Sequence, residues 1–308
     1  MMNLPSLRHL WHLRALHDQG HFGRAAEACH VTQSTLSASI KELEGVLETT
    51  LVDRSKRRVV FTPVGIETVE RARKIVKEVE DLVGFTTASR EPLSGTLRMG
   101  TIPTIGPFLL PRVLPSLRQA YSCLRLYLVE DLTERLIESL HRGQLDVVLL
   151  ALPYNCGAVE TVIMFEDPFV VGLPRDHLLA KETRVKPERL LREDLLLLKD
   201  GHCLRDHALA ACRLADRRVT EGFEATSLTT LVQMVDNGLG TTLLPSLAVD
   251  AGLLLGTNVV MRPLFADEPA RKIGLVWRRG TGRRSEFRLF AKELAERAKM
   301  KSKTAPRL

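Results

Sequence analysis

Residues 22–47 read FGRAAEACHVTQSTLSASIKELEGVL, and this stretch decides the fold of the N-terminal third. Arg24 to Cys29 is a short alanine-rich helix, His30-Val31 makes a turn, and Thr32 is a good N-cap for a second helix over residues 33–47. Along that second helix Leu36, Ile40, Leu43 and Leu47 recur at helical spacing and are expected to face inward. Gln33, Ser34, Thr35, Ser37, Ser39 and Lys41 remain to offer hydrogen bonds to base edges and phosphates. Two short helices joined by a tight turn, the second carrying polar side chains, form a helix-turn-helix pattern. It implies double-stranded DNA as a partner.

Upstream, Leu4, Leu7, Leu10, Trp11, Leu13 and Leu16 predict a further helix that ends near Gln19-Gly20. Downstream, residues 51–53 and 59–61 alternate like the strands of a hairpin whose turn carries Arg54, Lys56, Arg57 and Arg58. Beside a helix-turn-helix, such a turn reads as a wing that meets phosphates, adding affinity without sequence information. Pro63 opens a long helix at a position it tolerates. Ile66, Val69, Ala72, Val76, Val79 and Val83 step along it by three or four residues, and Glu91-Pro92-Leu93-Ser94-Gly95 breaks the pattern. One narrow apolar seam on a charged helix predicts a partner helix; packing against its own domain is the alternative.

From Gly95 onward strands alternate with helices. Strands are expected over 96–101, 124–129, 145–150, 169–172, 195–198, 221–225, 241–244 and 272–277, and helices over 106–120, 227–237 and 285–300. That alternation predicts an α/β domain with mostly parallel strands. The 44% hydrophobic and 26% charged content is that of a soluble globular protein. No apolar run approaches the ~20 residues of a membrane helix, and Arg8, His9, His12 and Arg14 interrupt what would be a signal-peptide core. A cytoplasmic location without a membrane partner is therefore expected. The net charge of +7 is poor evidence for DNA binding, because residues 278–308 hold eleven basic and three acidic groups and the remainder carries −1. Residues 301–308 read as a basic tail.

A second informative stretch is DGHCLRD at 200–206, with Cys212 nine positions after Cys203. Positive charge on His202 and Arg205 would favour a thiolate at Cys203, so Cys203 and Cys212 look like an attacking and a resolving thiol. On one continuous helix nine residues span roughly 13 Å and end on opposite faces. A disulfide needs Cα atoms within about 7 Å, so forming it would unwind the segment. Metal binding by His202, Cys203, His207 and Cys212 is the weaker reading, since Cys212 falls off the face shared by Cys203 and His207; no metal or cofactor is expected. The bland alternative is that both thiols are inert core residues. Cys29, Cys123 and Cys156 read as inert: the first in the helix-turn-helix core, the second at a strand start, the third exposed in a turn.

Phe22-Gly23-Arg24-Ala25-Ala26, residues 31–37, Ile40-Lys41-Glu42-Leu43-Glu44, Leu51-Val52-Asp53-Arg54 and Phe61-Thr62-Pro63-Val64-Gly65 occur in an order that resembles the winged helix-turn-helix of LysR-type transcriptional regulators. The resemblance spans nearly the whole chain. It implies an N-terminal winged helix-turn-helix over 1–62 and a linker and dimerisation helix over 63–90. It further implies an α/β, two-lobed, periplasmic-binding-protein-like regulatory domain over 91–300, with lobe I at 95–167 and 271–300 and lobe II at 168–270. Thr32, Gln33, Ser34, Thr35, Ser37 and Lys41, with the wing residues Arg54, Lys56, Arg57 and Arg58, would be the DNA contacts. A homodimer or homotetramer that engages RNA polymerase is expected.

Residues 195–206, 100–107 and 225–228 are also similar to the hydrogen-peroxide-responsive subgroup of that family. The similarity implies that Cys203 reacts with hydrogen peroxide to a sulfenic acid and that Cys212 resolves it to a disulfide. Thr104, Thr133, His202 and Arg271 would hold the peroxide, with Arg205 and Asp206 beside them. His207 and residues 208–211 depart from the subgroup's pattern. The expected function is a peroxide-sensing regulator of antioxidant genes rather than an enzyme. The alternatives are a regulator that binds a small organic effector between the lobes, and a thiol peroxidase.

Overall fold

The computed structural model describes residues 4–53, 59–88, 92–211, 225–264 and 270–302. Cys212, the wing residues Arg54, Lys56, Arg57 and Arg58, and positions 221–224 of an expected strand lie outside the described residues. The chain forms two compact units that divide between Thr87 and Ala88.

The first unit packs α1 (Leu7–Gln19), α2 (Phe22–Ala28) and α3 (Gln33–Val46) around Leu13, Leu16, Ala25, Leu36, Ile40 and Leu43. Each helix has its own start signal. Ser6 and His9 cap α1 reciprocally, the His21 ring caps α2, and the Thr32 hydroxyl accepts from the Thr35 amide at 3.2 Å to cap α3. Two expectations fail here. Leu47 is exposed because it lies one residue past the last turn of α3, and Ser39 faces inward, bonded to His12 Nδ1 at 2.7 Å.

β1 (Val52–Asp53) and β2 (Val60–Phe61) pair antiparallel, with Val52 opposite Phe61. Then α4 (Pro63–Ala88) leaves the hairpin. Gly65 is required at this junction, since a Cβ there would stand 2.1 Å from the Leu51 carbonyl oxygen. The apolar seam of α4 divides. Val69, Ala72 and Val76 are buried in the unit's own core, whereas Ile66 and Val83 are exposed. Packing within the domain thus accounts for the middle of the seam and leaves its far end open.

The second unit runs β3 (Gly95–Thr101), α5 (Gly106–Ala120), β4 (Leu124–Glu130), α6 (Thr133–His141), β5 (Val147–Leu152) and β6 (Val159–Leu173). It continues with α7 (Pro187–Leu190), β7 (Leu195–Leu196), α8 (Cys203–Ala211), α9 (Leu228–Asp236), β8 (Thr241–Pro245) and α10 (Ser246–Asp250). β9 (Val260–Pro263), β10 (Ala270–Arg278) and α11 (Arg284–Ser302) close it. The strand order is β4-β3-β5-β10-β6-β8-β7, with β9 also on β6. Among the described strands the expectation of mostly parallel pairing fails, with β3 parallel to β4 and β5, and β7 parallel to β8. β10 is antiparallel to β5 and β6, and β6 is antiparallel to β8 and β9.

The reason is one long strand. Only residues 169–172 of β6 were legible as strand, yet it runs for 15 residues. Its first part pairs with β10, and its last part with β8 and β9. β6 therefore carries the chain from one lobe to the other, and β10 returns beside it. Each lobe has its own core. Val148, Leu149, Trp277, Phe287 and Phe290 lie in the first; Val171, Leu195, Leu231 and Leu244 lie in the second.

Candidate functional site at the first turn of helix α8

Helix α8 starts where the two cores meet. Lys199 N–H donates to Ala225 O at 2.8 Å, and Gly201, at φ +94°, turns the chain through a conformation that a side chain would strain. Cys203 follows as the first residue of the helix. Its side chain belongs to the core of the first lobe, while Leu204 and Ala208 belong to that of the second.

Cys203 borders a cavity of about 10 Å³, room for one water-sized molecule. Ile102, Pro103 and Thr104 close it from the link between β3 and α5, Leu132 and Thr133 from the start of α6, and Gly201, His202 and Leu204 from α8 and its approach. The cavity is too small for an organic effector, which needs roughly 300 Å³ or more.

The thiol is 5% exposed, and burial pushes its pKa up. The Thr133 hydroxyl, the Arg271 guanidinium and the Ala151 backbone oppose that rise, whereas the Asp206 carboxylate adds to it. The Thr133 hydroxyl is itself buried and has no oxygen or nitrogen partner among the described residues. Burial also holds the His202 imidazole below its usual range, so that it is neutral near pH 7. Arg205 does not supply the cation expected from the sequence. Its guanidinium pairs with Asp200 and does not line the cavity.

Arg271 supplies it instead. That side chain is 1% exposed, and its Nε donates to Asp167 Oδ2 at 3.0 Å. Its Nη1 donates to Thr104 Oγ1 at 2.8 Å and its Nη2 to the Thr104 carbonyl at 2.9 Å. Asp167 Oδ1 accepts from the Leu247 amide at 2.8 Å, so the carboxylate is satisfied on both oxygens. Arg271 and Asp167 face each other across β10 and β6. The strands that connect the lobes thereby fix Thr104 at the cavity wall. Asp167 was missed in the sequence, where the only local signal is an acidic residue before Pro168 in an apolar run.

His207 lies one turn beyond Cys203, and its Nε2 donates to the Pro153 carbonyl at 2.8 Å. Cys156 corrects an expectation: it is 5% exposed and buried, while among the described cysteines Cys123 is the exposed one. The loop after β5 folds back on the domain, with His141 Nε2 bonded to the Cys156 carbonyl at 2.8 Å and Pro153 held by His207.

In the first unit, Thr32, Gln33, Ser34, Thr35 and Lys41 are exposed along α3 and Ser37 is half-buried. Among the described residues no cluster of three or more His, Cys, Asp or Glu is placed to hold a metal ion, and no helix is long and apolar enough to cross a membrane.

These features coincide with a known family. The profile described as "Bacterial regulatory helix-turn-helix protein, lysR family" matches residues 7–66, and "LysR substrate binding domain" matches residues 90–299. The chain is 41% identical over 292 residues to the "DNA-binding transcriptional dual regulator OxyR" of Escherichia coli, covering 95% of each. A full-length OxyR from Pseudomonas aeruginosa, with one cysteine replaced by aspartate, superposes with a TM-score of 0.79 at 35% identity, over 95% of this chain and 98% of that one. A hydrogen-peroxide-bound cysteine-to-serine OxyR from Corynebacterium glutamicum gives a TM-score of 0.67 at 32% identity, over 98% and 95% of the two chains. The chain belongs to the LysR family of DNA-binding bacterial transcriptional regulators, within its OxyR group.

Proposed function

We propose that this regulator senses hydrogen peroxide through Cys203 and changes its DNA contacts when that thiol is oxidised. The observation that carries the reading is the water-sized cavity at the head of α8, with Cys203, Thr104, Thr133 and His202 on its wall. Thr133, Arg271 and the first turn of α8 favour the Cys203 thiolate, and neutral His202 completes the cavity wall. The Cys203 sulfur attacks one oxygen of hydrogen peroxide, the O–O bond breaks, and the departing oxygen leaves as water once protonated. Thr104 Oγ1 accepts from Arg271, which leaves its own hydroxyl proton for the bound oxidant.

The sulfenic acid on Cys203 then condenses with Cys212, with loss of a second water. Because α8 is helical from Cys203 through Ala211, that disulfide requires the helix to open. The refolding is the signal. Thr32, Gln33, Ser34, Thr35, Ser37 and Lys41 meet DNA, and Arg54, Lys56, Arg57 and Arg58 meet phosphates. The protein works in the cytoplasm as a homodimer or homotetramer, governs antioxidant genes together with RNA polymerase, and is not a turnover enzyme.

Promoter footprinting before and after one equivalent of peroxide, with thiol mapping on the same sample, tests this reading. The footprint of the native chain should change and that of Cys203→Ser should not; a peroxide response that survives Cys203→Ser refutes it. Peroxide loss should be stoichiometric with thiol, whereas turnover would identify a thiol peroxidase.

A further inference from the structure

Ala151, at the end of β5, reaches the Cys203 sulfur through its backbone, and two residues later Pro153 accepts from His207 on α8. The loop after β5 is thus held against the first turns of the switch helix. Cys156 follows in that loop, its carbonyl tied to His141, and its side chain is buried in the same apolar cluster as Cys203. Charge on Cys203 is felt at the Cys156 thiol, and Tyr154, two residues before Cys156 in the same loop, feels both sulfurs.

We propose that Cys156 is a second resolving thiol for Cys203, closing a disulfide that leaves α8 wound. The inference rests on the peroxide-sensing reading above. Peroxide first converts the Cys203 thiol to a sulfenic acid and releases water. The Cys156 sulfur then attacks the Cys203 sulfur, the S–O bond breaks, and the leaving hydroxide takes the Cys156 proton as a second water. Two thiols and one peroxide give one disulfide and two waters.

The two routes have opposite mechanical consequences. Cys212 lies immediately beyond a helix that rises about 12 Å between Cys203 and Ala211, so pairing with it must open α8. Cys156 lies in the loop that α8 already touches, and pairing with it would preserve the helix. Burial pushes the Cys156 thiol up, which leaves little thiolate near neutral pH and makes its attack slow. It would therefore capture the sulfenic acid when α8 stays closed, protecting Cys203 from further oxidation without signalling.

The test uses the full chain as Cys212→Ser, treated with one equivalent of hydrogen peroxide and mapped by peptide mass spectrometry with and without reductant. A reductant-sensitive peptide linking Cys156 to Cys203, with no dimedone adduct on Cys203, is the expected result. The Cys156→Ala/Cys212→Ser variant should instead accumulate the dimedone adduct at least tenfold. Persistent dimedone-reactive Cys203 in Cys212→Ser, without the linked peptide, overturns the second route and leaves the sensing reading intact. If Cys203 is not oxidised even in the native chain, both fall.

Discussion

Replacing Thr133 by valine separates the chemistry of Cys203 from the stability of the domain that holds it. The Thr133 hydroxyl is buried, has no oxygen or nitrogen partner among the described residues, and favours the Cys203 thiolate by hydrogen bonding. A hydrogen bond to a charged acceptor contributes about 1.5–3 kcal/mol. At 1.36 kcal/mol per unit this is about one to two pK units, or a 10- to 100-fold smaller thiolate fraction at any pH below the pKa. Thr133→Val should therefore slow oxidation by peroxide about 10- to 100-fold near neutral pH. The cost to folding should be under about 1 kcal/mol, because a methyl replaces a hydroxyl that makes no conventional bond. Stopped-flow oxidation under excess peroxide from pH 6 to 10, beside urea unfolding of the reduced protein, reads both quantities. Alkylation of Cys203 by iodoacetamide, which also needs the thiolate but no peroxide, should slow by the same factor. Oxidation that slows while alkylation does not would show that Thr133 acts on the oxidant rather than on the thiolate, and would overturn the prediction.

His207→Ala removes the Pro153 hydrogen bond that helps hold α8 closed, and about 1 kcal/mol should shift a glutathione redox titration about fivefold toward the Cys203–Cys212 disulfide; no shift would show that His207 does not restrain the switch. Burial holds the Cys203 and Cys156 thiols above the ordinary 9.0, so the unfolded chain ionises first. Their stabilisation is complete below that value and is lost as pH rises toward the folded pKa values, and Cys203→Ala should flatten the alkaline fall in the thermal midpoint. The His12 pKa is lowered by burial and then by Arg8 and His9, so its stabilisation is present above about 6.5 and is lost as pH falls through the folded value. His12→Gln should reduce the acid-side slope measured by the same melts. Gly65→Ala forces a methyl against the Leu51 carbonyl and should cost about 1–3 kcal/mol in urea unfolding, with DNA affinity lost in parallel.

The parts of this molecule legible in the sequence were those built from local periodicity. Thr32 capping α3, Leu36, Ile40 and Leu43 facing inward, and the hairpin of Val52 with Phe61 all depend on residues within a few turns of one another. What was not legible depends on distant partners. Ser39 looked like an outer-face hydroxyl because nothing nearby in sequence announces His12, which turns it inward. Cys156 looked exposed because Asn155 and Gly157 flank it; His141 and His207, far along the chain, fold its loop back. β6 was read as four residues because only its last part alternates in an apolar run. The remainder is strand because β10 lies beside it. The cation near Cys203 was misplaced for the same reason. Arg205 is close in sequence but turns to Asp200, while Arg271 arrives on β10.

That last exchange bears on how oxidation becomes motion. Had Arg205 been the stabilising cation, the chemistry would have been confined to α8, and unwinding the helix would have carried thiol and cation away together. Instead the charge comes from a guanidinium fixed to Asp167 and Thr104 by the strands that connect the lobes, while the sulfur rides on the first turn of α8. The negative sulfur that Arg271 favours exists only during the attack, because burial keeps the resting Cys203 thiol protonated and a sulfenic acid or a disulfide is neutral. The electrostatic tie between the strands and α8 is thus confined to the chemical step and does not hold α8 closed once a distant partner thiol is needed. His207 and the apolar contacts of Leu204 and Ala208 then remain to hold α8 in place. The strength of those contacts, rather than the reactivity of Cys203, sets whether a given dose of peroxide opens the helix. On this argument His207→Ala and Thr133→Val act on different steps. The first changes the yield of disulfide at fixed sulfenic acid, and the second changes only the rate at which sulfenic acid forms. In the double variant each effect should appear unchanged, the higher disulfide yield beside the slower oxidation; strong departure would mean that thiolate formation and helix opening are one step.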